Sequence, residues 1–227
     1  MRTPIVRESY LKHPLSLMLA TPGSVRVLRE LLASEGAASV PMLAKQTKLN
    51  PQTVRNALVD LTAGGVVEAL GHGRSQLYRA DVSHPLYLAL ASLFQAEAER
   101  YQTIMASIAN AADHITPTPL AAWAYGACAR GEDTASNDLD VCVVAADEQA
   151  EAVGLRMREL IEPVQAVQRV WVSVVVLAPS TVRTMAARRD SWWVGATEPC
   201  IPLFGEKPVD LAARLARPDR PGPPFRA

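Results

Sequence analysis

Apolar residues in the first third of the chain recur at helical spacing in three consecutive segments. Pro22–Ala33 places valines and leucines on one face and predicts a helix. Ser39–Thr47 begins with a capping serine and predicts a second helix. A third segment has Asn50 as its N-cap and Pro51 as its first helical residue, and it ends at the glycine pair that begins with Gly64. We therefore predict three short helices in succession.

The pattern changes to β-rich runs directly after the third predicted helix. Val66–Leu70 and Gln76–Arg79 flank a segment that contains two glycines and a serine, which is typical of a β-hairpin. The whole stretch, SVPMLAKQTKLNPQTVRNALVDLTAGGVVEALGHGRSQLYRA, resembles the winged helix-turn-helix domain of bacterial transcriptional regulators.

That resemblance implies binding of double-stranded DNA, with the third helix in the major groove and its early residues at the base edges. Amide and guanidinium groups can pair with adenine and guanine, and lysines suit phosphates. Two alternatives are that this polar face is merely solvated and that the winged helix binds a protein. The DNA-contacting residues we expect are Lys45, Lys48, Asn50, Gln52, Thr53, Arg55, Asn56 and Arg74.

The net charge of zero conceals an asymmetry that favours DNA binding by the first third. Residues 1–82 carry 10 Lys and Arg against 6 Asp and Glu, a charge of +4, and the remainder carries 13 against 17, a charge of −4. A positive excess of this sign is expected of a surface that touches phosphates.

A single long helix is predicted over His84–Ile115, because apolar residues recur there at steps of three and four. Leu90, Phe94, Tyr101 and Met105 belong to this stripe, and such a stripe is usually core. It could pack between domains or pair with a second copy of the chain, so we expect a homodimer whose geometry sets the spacing of DNA half-sites.

From Pro117 onward the pattern alternates between strands and helices, which predicts an α/β domain. Apolar runs at Leu120–Tyr125 and Leu139–Ala145 precede a helix predicted over Glu148–Ile161, and the run VQRVWVSVVVLAP follows it. The Pro-rich tail predicts an extended or disordered end. The expected fold class is α+β with two domains and a mixed sheet in the second. The boundaries we predict are 1–82 for the winged helix, 83–115 for the linking helix, 116–215 for the second domain and 216–227 for the tail.

A second candidate site lies in AYGACARGEDTASNDLDV, where a strand ends at Gly126, an irregular segment follows, and Asp138 and Asp140 open the next strand. Because side chains alternate along a strand, the two carboxylates are expected on one face. Mg²⁺ takes oxygen ligands and often keeps phosphate oxygens among them. Glycine lets backbone N–H groups approach a phosphate. The pattern therefore indicates a Mg²⁺ and nucleotide site.

This stretch resembles the motif of the minimal nucleotidyltransferase superfamily, whose fold is polymerase-β-like and whose motif is Gly-Ser, a short spacer and Asp-x-Asp. The resemblance continues in VSVVVLAPSTV and SWWVGATEPCIPLFG. It implies that Gly126, Ala127 and Arg130 bind the nucleotide. It also implies that Asp138 and Asp140 hold Mg²⁺ and are catalytic if the domain is active.

Two positions depart from that family pattern. Ala127 replaces the motif serine, and Ser173 stands where the family has its third carboxylate. Losing one member of a group of catalytic residues that act together has severe effects. Activity would be rescued if Glu132, Asp133 or Asp190 reached the site, or if one metal ion sufficed.

Three functions fit this sequence. The first is a transcriptional regulator whose nucleotidyltransferase-like domain is degenerate and senses a nucleotide or binds a partner. The second is an active Mg²⁺-dependent nucleotidyltransferase that modifies a protein or an RNA. The third is a toxin or antitoxin component whose second domain masks a partner protein from the same operon. Three widely spaced cysteines and the lack of a long apolar run favour a cytoplasmic protein without a membrane span.

Overall fold

The structure is a computed structural model that describes residues 11–34 and 36–217. Its contacts divide the chain into two compact units, unit 1 ending at Ala98 and unit 2 beginning at Glu99. This division falls inside one long helix. The predicted boundaries at residues 82 and 115 stay predictions. All of the predicted tail except residues 216 and 217 lies outside the described residues.

Unit 1 contains the three predicted helices and the predicted hairpin. Each of these three helices begins at a capping residue whose side chain accepts a backbone N–H. The capping residues are Thr21, Ser39 and Asn50. A cap of this kind contributes about 1 kcal/mol. The elements of this part are α1 (Leu15–Met18), α2 (Pro22–Ala33), α3 (Val40–Thr47), α4 (Pro51–Ala63), β1 (Val67–Leu70) and β2 (Leu77–Ala80).

The core of unit 1 forms where the inner faces of these helices meet. Its largest side chains are at most 1% exposed, and burying each of these contributes roughly 1.5–3 kcal/mol relative to leaving it in water. α4 is at its centre, since α4 contacts α1, α2, α3 and β1. The largest members of this core are Met18, Leu28, Leu31, Leu43, Leu58 and Leu61.

A third short segment joins the hairpin to the start of α3. β1 and β2 pair antiparallel, and Tyr78 of β2 also pairs with Ala38 through N–H···O bonds of 2.8 and 2.9 Å. Because Ser39 follows directly as the α3 cap, this pairing holds the hairpin beside the N-terminus of α3.

The predicted long helix is present as α5 (Tyr87–Asp113). It begins later than His84 because that residue and Pro85 form a turn, closed by the Tyr87 N–H on the His84 carbonyl at 2.9 Å. Within the described residues, no helix is both long and apolar enough to cross a membrane.

Unit 2, as far as it is described, is built on a four-stranded mixed sheet. The strand order is β5-β4-β3-β6; β4 and β5 are parallel and the other pairs antiparallel. The strands are β3 (Ala121–Tyr125), β4 (Leu139–Val144), β5 (Val172–Leu177) and β6 (Ile201–Gly205). The helices that follow α5 are α6 (Gly126–Arg130), α7 (Ala150–Gln168), α8 (Pro179–Arg188), α9 (Ser191–Thr197) and α10 (Pro208–Leu215).

Helices cover both faces of this sheet. Val141 and Val143 of β4 face a core that contains Ile108 of α5 and Met157 of α7. On the opposite face, residues of β3 and β4 pack with α8, α9 and α10, and Trp123 is fully buried there. Side chains of β4 therefore alternate between two separate apolar cores, as the period of a strand requires.

Two predictions about unit 2 were wrong in detail. The helix predicted to end at Ile161 continues past Pro163 to Gln168, since Ile161 and Val164 both pack against the sheet. This apolar burial offsets the missing hydrogen bond at the proline. The segment after Gly126 was predicted to be irregular, and it begins instead with the one-turn helix α6.

Candidate functional site

The exposed face of α4 is polar along its first two turns. Gln52, Arg55 and Asn56 are exposed, and the Gln52 side-chain amide donates to the Asn56 oxygen at 2.9 Å. The large apolar side chains of α4 lie on its other face in the core, except Val59, which is 65% exposed. α4 thus presents amide and guanidinium groups side by side on one surface.

Arg55 borders a groove between the start of α3 and the hairpin. Ser39, Gly73 and Gln76 line the same groove, whose volume is about 450 Å³. No carboxylate pairs with Arg55 among the described residues. Its positive charge is therefore available to an anion that enters the groove.

The two predicted lysines flank the turn that precedes α4. Lys45, in the last turn of α3, and Lys48, at its C-cap, are both exposed. Lys48 has a left-handed backbone, with φ of +56°, a conformation uncommon outside glycine, asparagine and aspartate. This residue reverses the chain direction between the two helices.

The remaining predicted DNA contacts differ in their availability. The Asn50 side-chain oxygen accepts the Thr53 N–H at 2.8 Å, so its role in the cap leaves mainly the amide group to reach a ligand. The methyl group of Thr53 faces α2, where a Cβ added to Gly23 would lie 3.0 Å away. The backbone of Arg74 lies in a 3-10 turn of the hairpin, and its side chain lies outside the described part of the structure.

In unit 2, Gly126 and Asp140 are in close contact. Tyr125, the last residue of β3, is paired with Asp140 of β4, and Gly126 follows with φ of +73°. A Cβ added to Gly126 would lie 2.5 Å from the Asp140 carboxylate oxygen Oδ2, and its backbone conformation is one that L-residues rarely adopt. Both the space and the dihedral angle therefore favour glycine here.

The electrostatics around Asp140 connect it to its predicted partners. Burial and the negative charge of Asp138 raise the pKa of Asp140, and Arg130 opposes this effect. Burial and the charge of Asp140 raise the pKa of Tyr125 to about 12. Gly126, Arg130, Asp138 and Asp140 are thus near one another in the fold.

Asp138 and Arg130 each also have a neighbour that is not among the predicted site residues. β4 begins at Leu139, so strand alternation does not extend to Asp138, which also lines a cavity with Tyr101. We predicted Tyr101 as part of a buried stripe, but it is 42% exposed. Arg130 is ion-paired with Glu132 at 2.8 Å on the surface.

No third carboxylate completes the candidate metal site within the described part of the chain. Ser173 of β5 is directly paired with Asp140, and Asp190 is the cap of α9, accepting the Trp192 N–H at 2.9 Å. No three His, Cys, Asp or Glu side chains of the described residues form a group that could hold a metal ion.

Two carboxylates can help to hold one Mg²⁺ with nucleotide phosphates. They do not fit the two-metal arrangement that stabilises both the attacking and the leaving oxygen. Trp193 is buried, and Trp192 packs edge-on against Tyr125.

No protein-family model matches this chain, and no curated protein matches it in sequence. It is similar to a solution NMR structure of the homodimeric winged helix-turn-helix DNA-binding domain of a Mycobacterium bovis protein, a possible ArsR-family transcriptional regulator. The two are 25% identical over 44% of this chain and 94% of that one, with a TM-score of 0.31.

Proposed function

We propose that this chain is a sequence-specific DNA-binding transcriptional regulator. In this proposal α4 enters the major groove of duplex DNA. Unit 2 is a nucleotidyltransferase-like domain that lacks the full catalytic set and serves to sense a nucleotide or to bind a partner. The observation that carries the proposal is the exposed polar face of α4, on which Arg55, without a carboxylate partner among the described residues, borders the groove at the hairpin.

The arrangement of charges in unit 1 supports a role in DNA binding. Lys45 and Lys48 precede α4 and are exposed, where they would meet phosphates while Gln52 and Arg55 meet base edges. A protein-binding surface would be expected to expose an apolar patch. Among the described residues of α4, Val59 is the one large apolar side chain that is exposed. This face therefore lacks an apolar patch and suits nucleic acid better than a protein partner.

A homodimer would place two copies of α4 on successive half-sites about 34–36 Å apart. Leu88 of α5 is 76% exposed, and a second copy of the chain would bury it. Sedimentation of the wild type and of Leu88→Glu tests this state. We expect a dimer for the wild type and a shift toward monomer for the variant, and a monomeric wild type would contradict it.

The geometry at Gly126 supports a nucleotidyltransferase-like origin for unit 2. This position, where the space and the dihedral angle favour glycine, follows β3 and contacts the aspartate of the next strand. Ser173 beside Asp140 and Ala127 after Gly126 weaken the ion-binding and phosphate-binding sets, so we propose a domain without full transferase activity. Bound Mg²⁺ would require phosphate oxygens in addition to Asp138 and Asp140.

The salt dependence of DNA affinity tests the proposed interface without knowledge of the operator. Fluorescence anisotropy with a labelled mixed-sequence duplex gives log K against log salt, and the magnitude of its slope is about 0.9 for each phosphate that the protein neutralises. We expect Lys48→Ala to reduce this magnitude by about 0.9, the value for one phosphate. Arg156→Ala changes an exposed arginine of α7 and should leave the slope unchanged. Equal slopes for all three proteins would contradict the proposed docking.

Label transfer tests the second domain separately. The wild type and an Asp138→Asn, Asp140→Asn double variant are each incubated with α-labelled nucleoside triphosphates, Mg²⁺ or Mn²⁺, DNA and cell lysate. We expect no incorporation by either protein. Label that the wild type incorporates and the double variant does not would establish an active transferase and overturn the degenerate assignment.

A further inference from the structure

A cavity of about 250 Å³ opens in unit 2 beside Asp138. It lies among the second half of α5, α6, the loop that precedes β4 and Val170, two residues before β5. At about 30 Å³ for each molecule of liquid water, the space corresponds to about eight waters. This is enough for a small organic molecule, close to the lower end of ligand-site volumes.

One wall of this cavity is apolar and firmly packed. Ile104, Met105 and Leu139 are 4%, 9% and 5% exposed and belong to the core beneath the sheet. Val170 extends the same wall. Because Ile104, Met105 and Leu139 are almost fully buried, the wall offers an apolar portion of a ligand only a small area, worth about 25 cal/mol for each Å² covered.

The opposite side of the cavity is polar and carries a negative charge. Asp133 and Asp138 line it with the guanidinium of Arg100, and all three residues are exposed. Arg100 donates to the carbonyl of Gln168 at 2.5 Å, which fixes its guanidinium on the chain itself. The two carboxylates therefore outweigh the single cation.

The negative charge of Asp133 affects the pKa of two neighbouring side chains, Cys128 and Tyr101. Burial, together with the charge of Asp133, raises the pKa of the Cys128 thiol. Burial and the charge of Asp133 also raise the pKa of Tyr101. The aromatic ring of Tyr101 lines the same cavity, and an aromatic face attracts a cation through its quadrupole.

We propose that this cavity is a binding site for a small organic ammonium ion. The ammonium group lies between Asp133 and Asp138 beside the ring of Tyr101, and the apolar portion of the ligand lies against Ile104, Met105 and Leu139. The chemistry that selects such a ligand is a cationic head joined to a short apolar body.

An anionic or a metal ligand fits these walls less well. A phosphate without a bound cation would meet two carboxylates, and a metal ion alone would leave the apolar wall without a contact. Nor do the described residues bring a third metal-binding side chain to Asp133 and Asp138. Asp138 also belongs to the candidate Mg²⁺ and nucleotide site, so an ammonium ion and a Mg²⁺-bound nucleotide would compete for it. The proposed site is independent of DNA binding by unit 1, and the tests below use no DNA.

The test compares two probes of nearly equal shape, 2-phenylethylammonium and the neutral 2-phenylethanol. Calorimetry and ligand-detected NMR on the full chain give their affinities. We expect the ammonium to bind at least about tenfold more tightly. We also expect Asp133→Asn to weaken it by about tenfold, the effect of removing one charge-assisted hydrogen bond. Asp113→Asn changes an exposed carboxylate of α5 that does not line the cavity, and it should leave the affinity unchanged.

Alkylation of cysteine locates the bound probe. Cys128 lines the cavity, whereas Cys200 is similarly half-buried but does not line it. We expect saturating 2-phenylethylammonium to slow alkylation of Cys128 severalfold and to leave Cys200 unaffected, as read by peptide mass spectrometry. Equal binding of the alcohol, unchanged affinity of Asp133→Asn, or protection of Cys128 by ATP or Mg²⁺ rather than by the ammonium would overturn the proposal. The absence of any saturable ammonium binding would do the same.

Discussion

Replacing Gly126 with alanine probes the contact that defines the candidate nucleotide site. The new methyl group would lie 2.5 Å from Oδ2 of Asp140, closer than real Cβ contacts allow, and the backbone would keep a φ of +73°. The Asp140 side chain must move away, because the backbone of Gly126 is tied to β3. The variant therefore combines a backbone penalty with a steric one.

The expected destabilisation of Gly126→Ala is about 0.5–3 kcal/mol. A left-handed L-residue costs roughly 1–2 kcal/mol, and forcing Asp140 away from its rotamer costs about 0.5–1.5 kcal/mol. The stiffer unfolded chain returns about 0.4–1 kcal/mol. In an Asp140→Ala background the steric part disappears, so the cost of the alanine should fall by about 0.5–1.5 kcal/mol.

The wild type, the two single variants and the double variant form a double-mutant cycle. Tryptophan fluorescence during urea unfolding measures the stability of unit 2 in each of them, because all four tryptophans of the chain lie after residue 98. Gly195→Ala is the matched control, since Gly195 lies in α9 with open space around its Cβ position. It should be neutral or stabilising by up to about 1 kcal/mol. The reasoning is refuted if Gly126→Ala behaves like the control, or if its cost is the same with and without the Asp140 carboxylate.

Three further predictions concern unit 2. The pKa of Asp140 is raised in the folded state, so the folded state holds the proton of this carboxyl more tightly than the unfolded state does. The stability gained from this should be lost as pH rises through the folded pKa. Urea midpoints measured across pH should show this decline in the wild type but not in Asp140→Asn. Arg158 donates at 3.0 Å to the Val174 carbonyl on the outer edge of β5, so Arg158→Ala should increase light scattering on heating more than Arg156→Ala does, by exposing a sheet edge. Trp123 is buried, and its indole N–H donates to the Ala196 carbonyl at 2.6 Å. Trp123→Phe should lower the free energy of unfolding in urea by about 1–3 kcal/mol, because that carbonyl is left without its partner. A smaller cost would show that water replaces the lost donor.

The helices and the hairpin of unit 1 could be predicted because local signals agree there. Asn50 followed by Pro51, the glycines after α4 and the apolar spacing each indicate the same boundaries. The end of α7 could not, since Pro163 normally stops a helix and only the tertiary packing of Val164 extends it. The sequence around Pro163 indicates only the local preference to end the helix. It does not reveal the tertiary contact of Val164 that extends the helix.

The candidate nucleotide site was predictable in composition and less so in geometry. The motif indicated Gly126 and Asp140, and the structure brings them into contact. The ion pair of Arg130 with Glu132 and the exposure of Tyr101 depend on side-chain placement. The cavity beside Asp138 is formed by segments that are distant along the chain, so no spacing rule could reveal it.

The most direct test of the central claim is the set of DNA sequences that the chain selects. Wild type, Arg55→Ala and the control Arg156→Ala are each used to enrich duplexes from a random library, and the affinities of the selected sites are then measured. We expect a defined motif for the wild type and the control. Arg55→Ala should lose preference at one guanine position, at a cost of about 1–3 kcal/mol. The same motif and affinity for all three proteins would show that α4 does not read DNA through Arg55, and no enrichment by the wild type would contradict sequence-specific binding altogether.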